Sequence, residues 1–283
     1  MTAAGPLDEH IRRVDEDRWL ASRFAPKAAR ARLLALYGLN HEIARTSEAV
    51  SHEGIGDIRL AWWHEAVAEI YEGRTPRAHP ALEAYAEAIA AASLPRAPLD
   101  AMIAARGKDL EQAPFETWAD LDAYLEATAG NVFLLAIEAC AETPARPKQF
   151  DMFVRQAGRA WGYAGLLRAL PFWTARGRTF FPHKLMAHNN LSPASVFHDF
   201  SGHAARSCAA AVLDRGRHAY NEARELATLL PSALFPAIGY LAFAPRYFRA
   251  LSEQPHAIGG TGALVPLLAR QMALMNASAT GKL

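Results

Sequence analysis

Cysteine and long apolar runs are scarce in this sequence, and both shortages limit the classes of protein to which the chain can belong. Its 283 residues include two cysteines, Cys140 and Cys208, each inside an apolar or alanine-rich stretch. Thiols in such stretches are expected to pack in a core, in a reducing compartment. The most apolar segment, 233–248, is broken by Pro236 and Pro245 and is shorter than the about 18 uninterrupted apolar residues of a membrane span. We therefore expect a buried core helix there.

Excess charge of either sign is also missing. The formal net charge is +1, which argues against capture of nucleic acid or acidic lipid by bulk electrostatics, and we expect no nucleic-acid partner. The first eight residues are polar and have no apolar stretch of the kind found in signal peptides. We therefore expect a cytoplasmic protein.

Residues that favour strands are sparse, since alanine, leucine, arginine and glutamate dominate over valine, isoleucine and threonine. Hydrophobic residues make up 51% of the chain, enough for a sizeable core or an internal cavity. There is no repeat of fixed period and no linker that would separate two domains. The sequence predicts an all-α fold in one domain, 1–283, with a core at about 20–251 and terminal helices flanking it.

Prolines, glycines and apolar periodicity place the helices. Thr117 and Asp120 have the spacing of a capping box at the start of one helix, and Pro171 is expected to end another. The segments predicted as helices are 27–50, 58–73, 80–93, 99–112, 118–141, 148–170, 202–230, 231–251 and 263–277, with a short helix after Ser192 and a loop over 173–182.

No common catalytic or metal-binding signature is present. The sequence has no P-loop, no G-x-G-x-x-G after a strand, no H-E-x-x-H and no paired C-x-x-C. His183 and His188 are five residues apart, which does not place both on one helical face. We interpret them as solvated histidines.

Longer blocks of sequence carry more information than these motifs. In order and spacing, they resemble the squalene/phytoene synthase family over about residues 20–251. The blocks are ALYGLN at 35–40, RLAWW at 59–63 with Gly73-Arg74, Asp109-Leu110, Tyr124 with TAGNV at 128–132, GYA at 162–164 through Leu167-Arg168, and RGRTFFP at 176–182.

The resemblance implies an isoprenoid-synthase-type helical bundle around a central cavity, with the segments 27–50 and 148–170 facing each other across it. Members of that family condense two prenyl diphosphates head to head. Magnesium ions neutralise the diphosphate leaving group. Because Mg²⁺ prefers oxygen ligands, the family carries two Asp-rich stretches.

The chain departs from the family at both stretches. Ala44 stands where the family has an aspartate, and Glu48 stands where it has a second one. In the second stretch Leu-Arg-Asp becomes Leu-Arg-Ala, ending at Ala169, and about four residues are missing before Gly177. We expect no metal site and no cofactor. Nearby acids are interpreted as solvated helix-face charges: Glu42, Glu48, Asp57, Glu65 and Glu69.

Basic residues are retained better than the acidic ones. The resemblance places four of them, Arg168, Arg176, Arg178 and Lys184, where the family handles diphosphate, and Tyr37 of the first block joins them as a candidate. One interpretation is a cationic pocket that binds a phosphate or an anionic lipid head without metal. The other is a solvated loop with an arginine that fixes helix ends.

A subgroup of the family shares these losses and includes a mitochondrial complex I assembly factor with a phytoene-synthase-like fold. The segments 40–44, 47–51 and 167–171 resemble that subgroup. The resemblance implies a non-catalytic assembly factor or a protein that binds a lipid or isoprenoid. Its expected partners are such a ligand, a respiratory-complex subunit or a membrane surface, with the protein peripheral to the inner membrane.

Two alternatives stay open. One is an atypical prenyltransferase that makes the head-to-head condensation with Mg²⁺. The other is an interaction scaffold whose cavity is filled by side chains. The aromatic residues considered for that filling are Trp62, Trp63, Trp161, Phe172 and Trp173.

Overall fold

Helices supply all the regular structure in the described part of the chain, which confirms the all-α prediction. The computed structural model describes residues 5–48, 53–141, 149–198, 202–253 and 265–283. The α-helices are α1 (Pro6–Val14), α2 (Glu16–Ser22), α3 (Lys27–Ala44), α4 (Glu53–Tyr71), α5 (Pro80–Ala92), α6 (Ala97–Ala105), α7 (Trp118–Leu125), α8 (Asn131–Cys140), α9 (Phe150–Thr174), α10 (His183–His188), α11 (Pro193–His198), α12 (His203–Ala227), α13 (Phe235–Ile238), α14 (Ala244–Glu253) and α15 (Leu267–Thr280).

The long helices α9 and α12 lie side by side and organise the bundle, while α3 packs against α1, α5 and α8. Buried apolar side chains from nearly all helices form one connected cluster. That cluster includes Ile11 of α1 and Leu274 of α15, which lie outside the predicted core range of 20–251. Both cysteines are buried and free, and burial raises the pKa of the Cys140 thiol to about 12 and that of Cys208 to about 11.

Glycine lets α9 approach the α7–α8 connection at backbone distance. A π-helical turn, Glu126–Gly130, joins those two helices. A Cβ on Gly158 would lie 2.5 Å from the Cα of Gly130, and one on Gly162 would lie 2.5 Å from Cδ2 of Leu125. At Gly158 the neighbour is backbone, so only a residue without a side chain fits there, whereas at Gly162 the Leu125 side chain would have to move.

The capping box is confirmed. The Asp120 amide donates to Oγ1 of Thr117 at 3.3 Å, and the Thr117 amide donates to Oδ2 of Asp120 at 2.9 Å. The segment predicted as one helix over 118–141 runs as α7, the π turn and α8. The helix predicted over 99–112 is shorter, since α6 is followed by a 3-10 turn, Arg106–Asp109.

Pro171 does not end its helix, so that prediction is wrong. Helix α9 continues to Thr174, and the amide of Ala175 donates to the carbonyl of Pro171 at 3.1 Å. Proline removes one donor, but near the end of a helix few hydrogen bonds depend on it. The Thr174 hydroxyl also donates to the carbonyl of Leu170 at 3.0 Å. The loop predicted from 173 therefore begins after Thr174.

The prolines in the segment 231–251 do break it. The segment divides into a 3-10 turn, α13, a second 3-10 turn (Gly239–Phe243) and α14, so the prediction of one continuous helix is wrong. The prediction of burial is correct, because Tyr240, Leu241 and Phe243 are fully buried. In the described part of the chain, no helix has both the length and the apolar character needed to cross a membrane.

The remaining helix predictions hold with shifted ends. Helices α1, α2 and α10 were not among the segments predicted as helices by residue range, although terminal helices flanking the core were expected. Residues 49 and 50 of the segment 27–50, residue 148 of the segment 148–170, and residues 263 and 264 of the last predicted helix lie outside the described residues. Helix α3 ends at Ala44 and is followed by a 3-10 turn, Arg45–Ser47.

The substitution Gly158→Ala tests the close approach of α9. We expect it to lower the free energy of unfolding by about 1–3 kcal/mol, because the added Cβ meets the backbone of Gly130. Gly165→Ala is the matched control on the same helix, since a Cβ there meets nothing within 4 Å. It should leave stability unchanged or raise it by about 0.5–1 kcal/mol. Urea denaturation of the two variants measures both, and equal stabilities would contradict the packing described.

Candidate functional site

The positions of the two expected metal motifs carry no carboxylate cluster. Ala44 is the last residue of α3, and its half-buried side chain is a methyl group. Glu48 is exposed just beyond the following turn, and Ala169 is half-buried on α9. Two methyl groups and one solvated carboxylate do not provide the several oxygen ligands that Mg²⁺ requires. These residues therefore do not fit the magnesium cluster that the family implies.

Arg18 of α2 occupies the space between α3 and α9. Its guanidinium carbon lies 5.7 Å from the ring centroid of Tyr37 on α3, 5.9 Å from that of Trp161 on α9 and 5.1 Å from that of Tyr240. Arg18 Nη1 donates to Oδ2 of Asp15 at 2.6 Å. The helices predicted to face each other thus flank a buried cation held among aromatic rings.

Aromatic side chains complete the filling of this region. Phe133 stacks on Tyr240 with ring centroids 4.6 Å apart, and Trp161 meets Tyr240 edge-on at 4.9 Å. Of the five aromatic residues considered for cavity filling, Trp161 therefore lies in this central region. The others pack elsewhere: Trp62 and Trp63 lie against His79, and Phe172 lies against Trp173.

Burial controls the protonation of this centre. Burial alone would lower the pKa of Arg18, but Asp15 and the neighbouring Tyr240 outweigh it and raise that pKa above its ordinary value. Burial raises the pKa of Tyr37 and of Tyr240, so both phenols stay neutral. Neither phenol oxygen has a hydrogen-bond partner in the described part of the chain. Tyr37 is completely buried, which makes it a core residue in this arrangement.

Asp17, the neighbour of Arg18, is a second buried charge, and its contacts connect α2 to α9, α14 and α15. Its carboxylate accepts hydrogen bonds from the Tyr247 hydroxyl at 2.7 and 2.9 Å and from Nη1 of Arg270 at 2.7 Å. Arg168 Nη1 adds a third donor at 3.4 Å, and its guanidinium carbon lies 4.1 Å from the Tyr247 ring centroid. Arg168 therefore has a carboxylate partner within the protein.

Arg178 is held by main-chain carbonyls. It donates to the carbonyl oxygen of Asp109 and, at 2.9 Å, to that of Leu110. The Asp109 carboxylate in turn accepts from the Tyr124 hydroxyl at 2.6 Å and from Nη1 of Arg106 at 3.1 Å. The pocket beside Arg178 has a volume of about 30 Å³, room for about one or two water molecules.

The other two basic candidates lie on the surface. The guanidinium carbon of Arg176 stacks 3.6 Å from the Phe172 ring centroid, and the residue is exposed. Lys184 is exposed in the first turn of α10. The four cations of the predicted anion site thus have separate surroundings: Asp17 for Arg168, the 109–110 carbonyls for Arg178, and solvent for Arg176 and Lys184.

A cluster that the sequence analysis missed connects α7, α9 and α12. Asp122 accepts from the Tyr163 hydroxyl and, at 2.8 Å, from Nη2 of Arg215. Glu126, four residues later, accepts from Nε of Arg159 at 2.8 Å. The four-residue spacing of the two acids on a predicted helix was the available signal. Because arginines neutralise both carboxylates, the cluster serves helix packing.

The alternative acids of the sequence analysis are surface charges or ion pairs. Glu65 and Glu69 pair with Arg77 at 3.1 and 2.8 Å. The hydrogen bond from Arg77 is the main reason that the pKa of Glu69 lies below its ordinary value. Asp57 is exposed on α4. None of these three acids forms a shared magnesium site within the described residues.

One group of side chains has metal-ligand chemistry of a different kind. The ligand atoms of His10, His41 and Glu42 all lie within 4.8 Å of one another, where α1 meets the end of α3. Burial lowers the pKa of His41, which favours the neutral imidazole. Two imidazoles and a carboxylate suit a transition metal more than Mg²⁺, and Arg45 already lies 3.6 Å from the Glu42 carboxylate. This group does not replace the missing magnesium ligands.

Comparison with solved structures confirms the fold. A squalene synthase, HpnC, from Alicyclobacillus acidocaldarius is 20% identical in sequence and superposes with a TM-score of 0.75, over 88% of this chain and 93% of that one. A dehydrosqualene synthase solved with a ligand is 17% identical and gives a TM-score of 0.78, over 97% of this chain and 94% of that one. At these identities the likeness concerns the fold.

Comparison of sequences finds relatives with a different description. The mouse protein named "NADH dehydrogenase (ubiquinone) complex I, assembly factor 6" is 24% identical over 229 residues, 81% of this chain and 68% of its own length. The cattle protein of the same name is 25% identical over 245 residues, 87% of this chain and 72% of its own length. The family model described as squalene/phytoene synthase matches residues 11–271. The chain therefore belongs to the squalene/phytoene synthase family.

Proposed function

We propose that this chain is a non-catalytic member of its family and acts as an assembly factor for a respiratory NADH dehydrogenase of the complex I type. The observation that carries the proposal is the centre of the bundle. There the buried guanidinium of Arg18 lies between α3 and α9, while Ala44 and Ala169 stand where the family has metal-binding aspartates.

Chemistry supports the loss of catalysis. Ionisation of a prenyl diphosphate requires that the charge of the leaving group be neutralised, and the family does this with Mg²⁺ on carboxylates. The two aspartates of this segment, Asp15 and Asp17, are already bound by arginines of the protein. A metal cluster would need several free oxygens from one cavity.

The relatives support the assembly role. The mouse and cattle proteins are named as assembly factors of complex I, and they align with most of this chain's length. The proposed partner is therefore a subunit of a complex I type enzyme. As the sequence analysis predicts, the proposed place of action is the cytoplasmic side of the inner membrane.

A lipid or isoprenoid ligand is the second part of the proposal. Arg176 and Lys184 are exposed cations on the segment where the family handles diphosphate. An anionic head would bind there without metal through charge-assisted hydrogen bonds.

The competing proposal is an atypical prenyltransferase, for which Glu48 would be the remaining acid at the first motif.

We predict no condensation of prenyl diphosphates. Incubation with farnesyl or geranylgeranyl diphosphate and Mg²⁺ should leave the substrate intact, because the carboxylates that would hold the metal are absent. Product extraction and gas chromatography measure the outcome. Hydrocarbon formation by the wild type that disappears in Glu48→Gln would instead establish the atypical transferase.

Deletion of the gene in its host should lower NADH:quinone oxidoreductase activity and the amount of assembled complex on native gels. Because the proposed role needs no catalytic acid, the Glu48→Gln protein should restore assembly as well as the wild type does. A deletion strain with normal complex I that lacks a hydrocarbon product would contradict the assembly role and favour the enzyme.

Arg178→Ala and Arg176→Ala separate structure from binding. Arg178→Ala leaves two carbonyl oxygens without their donor, so we expect it to lower the free energy of unfolding by about 1–3 kcal/mol. Arg176 is exposed, and its removal should change stability by less than about 0.5 kcal/mol. Thermal melts and titration with a prenyl phosphate report stability and binding separately. An unchanged melting temperature for Arg178→Ala would contradict the structural role.

A further inference from the structure

The outward face of the last helix is apolar, where a helix on the surface of a globular protein is usually polar. Leu268, Met272 and Met275 are 67%, 61% and 67% exposed. Their spacing of four and then three residues puts all three on one side of α15. The opposite side packs into the bundle through Ala273, Leu274 and Ala277.

A groove runs between this helix and α2. Its volume is about 440 Å³, and apolar side chains dominate its lining. Phe24, which is 40% exposed, extends the apolar surface to the end of α2. The residues that line the groove are Leu20, Arg23, Phe24, Gln271, Leu274 and Met275. We call the groove and the exposed side of α15, together with Arg12 and Trp19, the α2–α15 face.

The charge on the α2–α15 face is positive. Arg23 and Arg12 lie over the half-buried ring of Trp19, with guanidinium carbons 5.0 and 5.8 Å from its centroid. Within the described residues, neither arginine has a carboxylate at ion-pair distance. The nearby acids are occupied, since Asp8 pairs with Arg30 and Glu16 pairs with Arg270.

The sequence of the C-terminal segment also lacks negative charge. Residues 254–283 contain no aspartate or glutamate. Their arginine, Arg270, is already paired with Glu16 and Asp17, and their lysine, Lys282, is exposed. An acid on the exposed side of α15 would be repelled by lipid phosphates, and none is there. The net charge of the whole chain, +1, does not describe this local excess of cations.

We propose that the α2–α15 face docks on a membrane surface that contains anionic phospholipid. Leu268, Met272 and Met275 enter the boundary between headgroups and acyl chains, as the apolar side of an interfacial helix does. Arg12 and Arg23 pair with lipid phosphates, and Trp19 lies at headgroup level, where tryptophan is favoured. This inference deepens the proposed function, since it names the surface by which an assembly factor reaches the membrane.

Flotation of the purified full chain with lipid vesicles tests the proposal. We expect binding to vesicles of phosphatidylglycerol mixed with phosphatidylcholine, weaker binding to phosphatidylcholine alone, and release at high salt. The double variant Leu268→Glu, Met272→Glu should reduce partitioning at least about tenfold, because it removes apolar burial and adds negative charge. Arg12→Ala and Arg23→Ala should each reduce binding to the anionic vesicles about fivefold.

Ile55 and Ile58 supply the matched control. They are 46% and 71% exposed on α4, so Ile55→Glu, Ile58→Glu makes the same chemical change on another surface. This control should float like the wild type, and the melting temperatures of both double variants should match that of the wild type. Equal loss of flotation in the two double variants would overturn the proposal.

Two further results would also overturn it. One is an absence of flotation with anionic vesicles. The other is a concentration-dependent dimer in light scattering that Leu268→Glu, Met272→Glu abolishes, since the face would then bind a second copy of the chain. Neither result touches the assembly measurements in the deletion strain, so failure of the docking proposal is distinguishable from failure of the proposed function.

Discussion

Burial of two adjacent opposite charges, Asp17 and Arg18, is the constraint on which the bundle depends. Both side chains lie on the short helix α2, and they point to different clusters: Asp17 to α9, α14 and α15, and Arg18 to the aromatic centre. Removing a charge from water costs several kcal/mol, and losing one partner of a buried pair costs about 3–5 kcal/mol. Asp17 receives its hydrogen bonds from α9, α14 and α15. Arg18 is bound by Asp15 at the start of α2 and lies among the aromatic rings of Tyr37 and Trp161. These contacts fix the positions of the surrounding helices relative to α2.

The same arrangement accounts for how the proposed non-catalytic member keeps the shape of the family's fold. Arginines bind three carboxylates here, of which Asp17 and Asp122 are buried: Arg18 binds Asp15, Arg270 binds Asp17, and Arg215 binds Asp122. An arginine side chain neutralises a carboxylate without a metal ion, and because it is part of the chain it stays in place. These ion pairs connect the helices of the bundle without a metal ion.

Local signals in the sequence predicted the helices well and the contacts between distant residues poorly. Helical periodicity and the Thr117 capping box depend on neighbours in the chain. The partners of Arg168 and Arg178 lie 151 and 69 residues away, and no spacing in the sequence points to them. The helix α2 has seven residues, too few for a periodic signal, so the buried charges at 17 and 18 were missed. The resemblance of whole blocks supplied the fold class, which residue patterns alone left at "all-α".

The long sequence separation between the residues of the Asp17 cluster has a consequence for folding during synthesis. Its partner Arg270 follows it by 253 residues. At about 5–20 residues per second, a ribosome needs on the order of ten to fifty seconds to add that stretch. Throughout that interval the nascent chain holds a carboxylate that cannot yet be buried with its partner. The Asp17 cluster is thus completed only after α15 has been made. A chain that stops before α15 retains Arg168 and Tyr247 as partners of Asp17 but lacks Arg270.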